Sequence, residues 1–320
     1  MSWQTVTKQP NELGESPFWH PDEQMLYWVD ATGKQIHRLN VFMGSVESWL
    51  MPSEPGCIAP VRSGGLVIAL RDGVYRAKDW GGDLQLLAAA VHDPATTRFN
   101  DGKADPCGRF WVGTLYEPRD ANLAQLFCLD SRNAGPQGLP SELETKLVAK
   151  LVAKLVVMAG NAMTANGLAW SPDASTLYWA DTPSHIIRAW DWDGRSNLMS
   201  RERVFKQWPA KPDGWQPGMS GYDGRPDGAA VDVQGNYYVA MYEGARVLKL
   251  APDGTLLQDI PVPAQCPTMP CFGGADLRTL YLTTARQKRP VAELQRYPKS
   301  GCVFSMQVDV PGLPVNFFHD

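Results

Sequence analysis

Two carboxylates, two carboxamides and two thiols recur at one position of a sixfold sequence repeat: Glu15, Cys57, Asn100, Asn166, Asp227 and Cys271. Each stands four residues before Trp19, Val61, Ala104, Trp170, Val231 and Ala275 when the copies are aligned on their turns. A ring that served packing alone would be small or apolar, because burying carboxylates without partners is costly. Oxygen donors from separate segments, converging on one axis, suit a hard or borderline divalent cation. Three protein ligands would leave positions open for water and substrate, as a catalytic metal site requires. Two other readings stay open here: a hydrogen-bonded polar plug without metal, and the two thiols as small buried fillers.

The elements that must position this ring are written in the repeat. Each copy has a segment of small and apolar residues, then a polar turn, then an aromatic-rich strand. The first runs from Glu15 to Asp30 and ends Leu26-Tyr27-Trp28-Val29-Asp30; the fourth runs from Asn166 to Asp181 and ends Leu177-Tyr178-Trp179-Ala180-Asp181. The other four begin at Cys57, Asn100, Asp227 and Cys271 and reach Ile68, Val112, Val239 and Leu282. Third strands follow at 35–39 and 246–250, and Asp193-Gly194 and Asp253-Gly254 are strong hairpin signals. Spacings of about 40 to 70 residues suit blades of roughly four strands. The pattern predicts an all-β chain: one six-bladed β-propeller domain over residues 1–320, four-stranded blades surrounding a central channel lined by each blade's first strand. The alternative is a β-sandwich with chance similarity among its hairpins. Gln4-Thr5-Val6-Thr7 precedes the first copy and is placed to supply the closing strand of the last blade. Residues 146–157 repeat Lys-Leu-Val-Ala in tandem, within the longest interval, and read as a duplication absorbed in an outer strand or loop.

Composition narrows the function classes. Hydrophobic residues make up 44% and charged residues 20%, which provides a sizeable core and argues against disorder. Twelve Trp, 29 Gly and 26 Pro fit many short strands joined by tight turns. A net charge of −4 with no basic run argues against nucleic acid or an anionic membrane as partner. No apolar run reaches the roughly 18 residues of a membrane helix, and residues 1–10 are polar, so the expected address is the cytoplasm. The six cysteines form no CxxC pair and are expected as free thiols. No GxSxG elbow, HExxH helix, Walker loop or GxGxxG turn is present; Gly218-Met219-Ser220-Gly221 lacks the strand–turn–helix context of a nucleophile elbow. His20, His37, His92 and His185 are scattered and read as packing or surface residues.

Six motifs, taken in order, carry a resemblance: Gly14-Glu15-Ser16-Pro17, Arg98-Phe99-Asn100-Asp101-Gly102-Lys103, Gly108-Arg109 with Gly113-Thr114, Asn166-Gly167-Leu168, Pro226-Asp227-Gly228 and Cys271-Phe272-Gly273-Gly274. Together they resemble the senescence-marker-protein, gluconolactonase and luciferin-regenerating family, also called regucalcin-like. The resemblance implies that Glu15, Asn166 and Asp227 hold one divalent metal ion (calcium, zinc, manganese or iron(II)). It also implies that Arg98 and Asn100 bind substrate, with Glu117 the nearest match to a further substrate-binding glutamate. The implied activity is hydrolysis of a sugar lactone to the aldonic acid, with metal-activated water attacking the carbonyl and Asp227 as general base. The same site could serve another ester, a non-sugar lactone or a phosphotriester, and a non-catalytic calcium-binding propeller could keep it. The tandem repeat departs from the family pattern, as does a Gly-, Pro- and Trp-rich loop from Trp208 to Arg225 that leads into Asp227 and is placed to form part of a lid.

Overall fold

The structure is a computed structural model and describes residues 2–131 and 154–320. Strand β1 (Gln4–Thr5) precedes the first blade, which is the meander β2 (Gly14–His20), β3 (Met25–Asp30), β4 (Gln35–Asn40) and β5 (Ser45–Leu50). The second blade is β6 (Cys57–Pro60), β7 (Leu66–Leu70), β8 (Gly73–Ala77) and β9 (Leu84–Ala89). The third is β10 (Thr97–Ala104), β11 (Phe110–Tyr116), β12 (Ala124–Leu129) and β13 (Leu155–Ala162). The fourth is β14 (Ala165–Trp170), β15 (Thr176–Asp181), β16 (Ile186–Asp193) and β17 (Leu198–Gln207). The fifth is β18 (Arg225–Val231), β19 (Tyr237–Tyr242), β20 (Arg246–Leu250) and β21 (Leu256–Pro261). The sixth takes β22 (Pro267–Gly273), β23 (Thr279–Thr284) and β24 (Phe304–Gln307) from the end of the chain and β1 from its beginning.

The inner strands pack neighbour to neighbour in a closed circuit, β2 on β6, β6 on β10, and so on round to β22 on β2. This is the six-bladed propeller that the repeat predicts, and the closed circuit rules out a sandwich. Burial falls from the axis outward: every residue of β2 and β14 is buried, whereas β5 and β21 are largely exposed. Adjacent blades are held by the aromatic residues of the repeat. Trp111, Trp170, Trp179, Trp190 and Trp192 fill the wedge between the third and fourth blades, with Trp111 edge-on to Trp170 and to Trp192. Full burial of an aromatic side chain contributes roughly 1.5–3 kcal/mol.

Gln4 pairs with Ser305 and Thr5 with Phe304, so the N-terminal segment does close the last blade. Val6 N continues the contact to Val303 O at 2.8 Å. Helix α1 (Val291–Arg296) lies between β23 and β24. No helix among the described residues is long and apolar enough to cross a membrane. Of the Lys-Leu-Val-Ala repeat, residues 146–153 lie outside the described residues, and Leu155, Val156 and Val157 open the outer strand β13. None of the six cysteines is in a disulfide.

Candidate active site

Four inner strands slip register at the same depth. The ladder shifts between Glu15 and Phe18 in β2, Phe99 and Gly102 in β10, Asn166 and Ala169 in β14, and Pro226 and Ala229 in β18. A β-bulge re-aims the side chain beside it. Glu15, Asn100, Asn166 and Asp227 stand at these four bulges, and all four line one cavity of about 500 Å³. Two of the bulges use left-handed backbone: Ser16 after Glu15 has φ 48° and Gly167 after Asn166 has φ 60°. Gly167 is required twice, since a Cβ there would also overlap the Tyr237 hydroxyl, which donates to Gly167 O at 2.6 Å.

The two thiols of the sequence-level ring do not join this group. Cys57 pairs with Ala69 in a ladder without a bulge and is buried in an apolar cluster, where desolvation pushes its thiol pKa up. It is a filler. Cys271 pairs with Tyr281, whereas the residue opposite Thr283, the counterpart of Val29 and Ala180, is Met269. Aligning the copies on their turns had therefore misplaced the last copy, because the turn of the sixth blade differs in length. Cys271 instead lines a second cavity of about 270 Å³, further along the inner strands, with Trp19, Lys103 and Trp170.

At the bulges the polar groups form a chain. Arg98 Nη1 donates to Asn100 Oδ1 at 2.8 Å, Asn100 Nδ2 donates to Asn166 Oδ1 at 2.8 Å, and Asn166 Nδ2 donates to Thr182 Oγ1 at 2.7 Å. Asn100 Nδ2 also donates to Ala165 O at 2.9 Å, so both of its amide hydrogens are used within the protein. Asn100 ties Arg98 to Asn166 and keeps one Oδ1 lone pair for a ligand. Burial raises the Glu15 carboxyl well above the ordinary carboxylate range, and the charges of Asp227 and Asp101 raise it further. Asp227 is raised in the same way, by burial first and then by Asp101. Asp101 lies behind them: its Oδ2 accepts from Leu168 N at 3.1 Å, and its Oδ1 has no partner among the described residues.

These residues fit a divalent cation. Two buried carboxylates that repel one another, beside an amide oxygen with a free lone pair, form a donor set whose electrostatic cost a dication would remove. Among the described residues no three His, Cys, Asp or Glu side chains gather closely enough to hold a metal by themselves. Any such site would therefore need a donor of another kind, and Asn166, on the same cavity wall, offers one.

The rim is built by loops outside the repeat. Glu117 lines the cavity but is held by Arg71, whose guanidinium lies 3.0 Å from Glu117 Oε1 and 3.0 Å from Glu54 Oε2. The Arg71 hydrogen bond holds the Glu117 carboxyl below the ordinary range. Across the mouth, Glu243 meets Lys211 at 2.9 Å, Arg289 at 3.0 Å and Arg225 at 3.3 Å. Of Arg71, Arg119, Arg225, Glu243 and Arg289, all lining the cavity, none was marked by the repeat. The loop from Trp208 to Arg225 docks on this rim through Lys211 and through a 2.7 Å hydrogen bond between Tyr222 and His185. Of its residues, Arg225 alone lines the cavity. The histidines pack, as expected: His37 stacks on Trp28, His92 meets Phe99 edge-on, and His20 meets Phe317 edge-on.

The fold and site together define a class: a six-bladed propeller with a carboxylate-centred polar cavity at one end of its channel. The sequence profile of the SMP-30/gluconolactonase/LRE-like region matches residues 13–286, and the chain belongs to that family. It is 41% identical over 309 residues to the 6-deoxy-6-sulfogluconolactonase of Pseudomonas putida, covering 96% of this chain and 95% of that protein. It is 32% identical over 314 residues to the regucalcin of Danio rerio, covering 97% and 95%. Among solved structures it is similar to a calcium-binding regucalcin from Agrobacterium tumefaciens, with a TM-score of 0.85, 22% identity, and 99% and 97% of the two chains covered.

Proposed function

We propose that this chain hydrolyses a sugar lactone to the corresponding aldonic acid, with Glu15, Asn166 and Asp227 holding one divalent cation. The observation that carries the reading is the convergence of Glu15, Asn100, Asn166 and Asp227, at four bulges, on one cavity that Arg98 also enters. The full-length similarity to a sulfogluconolactonase supports the substrate class. When bound, a divalent cation polarises an ester carbonyl and lowers the pKa of water.

The protein groups supply the rest. Burial and Asp101 hold the metal-free Asp227 carboxyl well above the ordinary range, and a bound dication would bring it down, leaving an ionised carboxylate able to accept a proton. It takes the proton of the attacking water, and that proton is then available to the ring oxygen as the ester bond opens. Arg98 is half-buried, and among the described residues its hydrogen bonds leave from Nη1, to Phe99 O and Asn100 Oδ1. Its remaining donors point to the cavity side, where they hold sugar oxygens and support negative charge developing on the carbonyl. Asn100 fixes the Arg98 fork, and Arg71 keeps Glu117 ionised as an acceptor at the rim.

The test is hydrolysis of five- and six-carbon aldonolactones by metal-stripped protein, before and after each divalent ion is restored. Asp227→Ala should abolish turnover while its circular dichroism matches wild type. Wild-type rates in that variant would sink the assignment of the base. Tight metal binding without turnover of any lactone or other ester would favour a calcium-binding propeller instead.

A further inference from the structure

Beyond the bulges the inner strands enclose the second cavity of about 270 Å³, just below the roughly 300–1,000 Å³ of sites for drug-sized ligands, so an occupant must be small. The C-terminal segment closes it. Leu313 N donates to Val231 O in the fifth blade at 3.0 Å, Asn316 Nδ2 to Ala104 O in the third at 3.2 Å, and Phe318 N to Pro60 O in the second at 2.9 Å. Between those ties Leu313, Pro314, Val315 and Asn316 run as irregular backbone, and all four line the cavity. Phe18, Met269 and Phe272 add apolar wall. The hydroxyls and the amide on the wall are already engaged: Ser16 Oγ accepts from Ile58 N at 3.0 Å, Ser171 Oγ donates to Asp173 Oδ1 at 2.6 Å, and Asn316 is tied to Ala104. Burial pushes the Cys271 thiol up to about 12, so it stays protonated. Lys103 is the exception. Among the described residues its one hydrogen bond runs from Nζ to Ala229 O, which uses one of an ammonium's three donors. No Asp, Glu, Arg or His side chain among the described residues lines the cavity, so its one charge is cationic. Burial works against that charge, a cost that an anion in the cavity would offset. Trp170, on the same wall, has its Nε1 buried without an acceptor among the described residues. Water alone suits such a space poorly, since a buried water takes about two to four polar partners.

We propose that this cavity is a second ligand site, for a medium-chain carboxylic acid whose carboxylate meets Lys103 and whose alkyl chain lies against Phe18, Met269, Phe272, Leu313 and Val315. A charge-assisted hydrogen bond to the ammonium fixes the head, and the apolar walls take the chain. None of these residues belongs to the metal or sugar site, so the acid binds whether or not the other end of the channel hydrolyses a lactone.

The experiment titrates the metal-loaded full chain calorimetrically with butyrate, hexanoate, octanoate and octan-1-ol. Octanoate should bind once per chain. Each added methylene should tighten binding about two- to fourfold, and the alcohol should bind roughly tenfold or more weakly than the acid of its length. Lys103→Met should weaken octanoate by roughly tenfold or more and remove its advantage over the alcohol. Val315→Trp narrows the cavity from the C-terminal segment and should weaken acid and alcohol alike, which decides the matter if Lys103→Met does not fold. Asp227→Ala should bind octanoate as wild type does, which separates this site from a carboxylate held by metal at the other end. Failure of octanoate to bind wild type, or an affinity unchanged in folded Lys103→Met or in Val315→Trp, overturns the proposal. Binding that is lost in Asp227→Ala, or that does not tighten with chain length, overturns it as well.

Discussion

Gly167→Ala is the most demanding test of the bulge that aims Asn166. Two costs can be worked out separately. At φ 60° a Cβ costs roughly 1–2 kcal/mol against the preceding and following peptides. The same Cβ overlaps the Tyr237 hydroxyl and forces it off Gly167 O, which adds the lost hydrogen bond at about 1 kcal/mol and some overpacking. The total is roughly 3 kcal/mol. In a Tyr237→Phe background the hydroxyl is gone, and the nearest remaining neighbours are Ala180 Cβ at 3.0 Å and Asp227 O at 3.1 Å, which shifts of a few tenths of an ångström relieve. There the alanine should cost only the backbone term, about 1–2 kcal/mol. A double-mutant cycle by urea denaturation of the metal-free protein should therefore show an interaction energy of about 1–2 kcal/mol between positions 167 and 237. Asn166 would tilt away from Asn100, so kcat/KM should fall at least tenfold in Gly167→Ala, and Tyr237→Phe should restore part of it. Additive stabilities, within about 0.5 kcal/mol, would refute the overlap argument.

Other outcomes follow from the same geometry. Glu117→Gln removes one of two carboxylates from a partly exposed Arg71 and should change stability by less than about 1 kcal/mol in urea, while raising KM for the lactone. Burial holds the His37 ring below its ordinary value, against the pull of Asp30, so the folded state binds fewer protons than the unfolded one. Its contribution is therefore present above about pH 6.5 and is lost as the pH falls. The slope of the urea midpoint between pH 5 and 7 should flatten in His37→Gln, and an unchanged slope would remove His37 from the account. Iodoacetamide at pH 8 should label Cys107 alone in the native protein, since it is partly exposed while burial pushes Cys128, Cys266 and Cys271 up to about 12. Peptide mass spectrometry reads the result.

The blades were legible because each must bury the same aromatic wedge against its neighbour, and Trp28 and Trp179 show that demand in the sequence. Glu15, Asn100, Asn166 and Asp227 were legible because they recur at one position of the repeat, and equivalent positions on the inner strands face one cavity. Cys271 was misread because turns are the part of a blade free to vary in length, while the ladder is not. The rim escaped altogether. Arg71, Arg119 and Glu243 come from connections between strands, where no repeated packing demand constrains spacing, and their pairing depends on loops that meet only in three dimensions. Glu117 could be located from the sequence as a cavity residue, but its tie to Arg71 could not.

The pairing of Gln4 with Ser305 has a consequence for biosynthesis. Strand β1 finds its place only after all five intervening blades have been made. Until then the axis is open on one side, and the edge that β22 and β2 will share stays bare. Contacts of such long sequence separation are slow to form and leave strand edges open to wrong partners in the meantime. The last residues of the chain do not help, because Phe318 bridges to Val61 and Asp320 meets Arg76 at 2.8 Å, both in the second blade. Closure of the ring therefore waits on β1 finding β24.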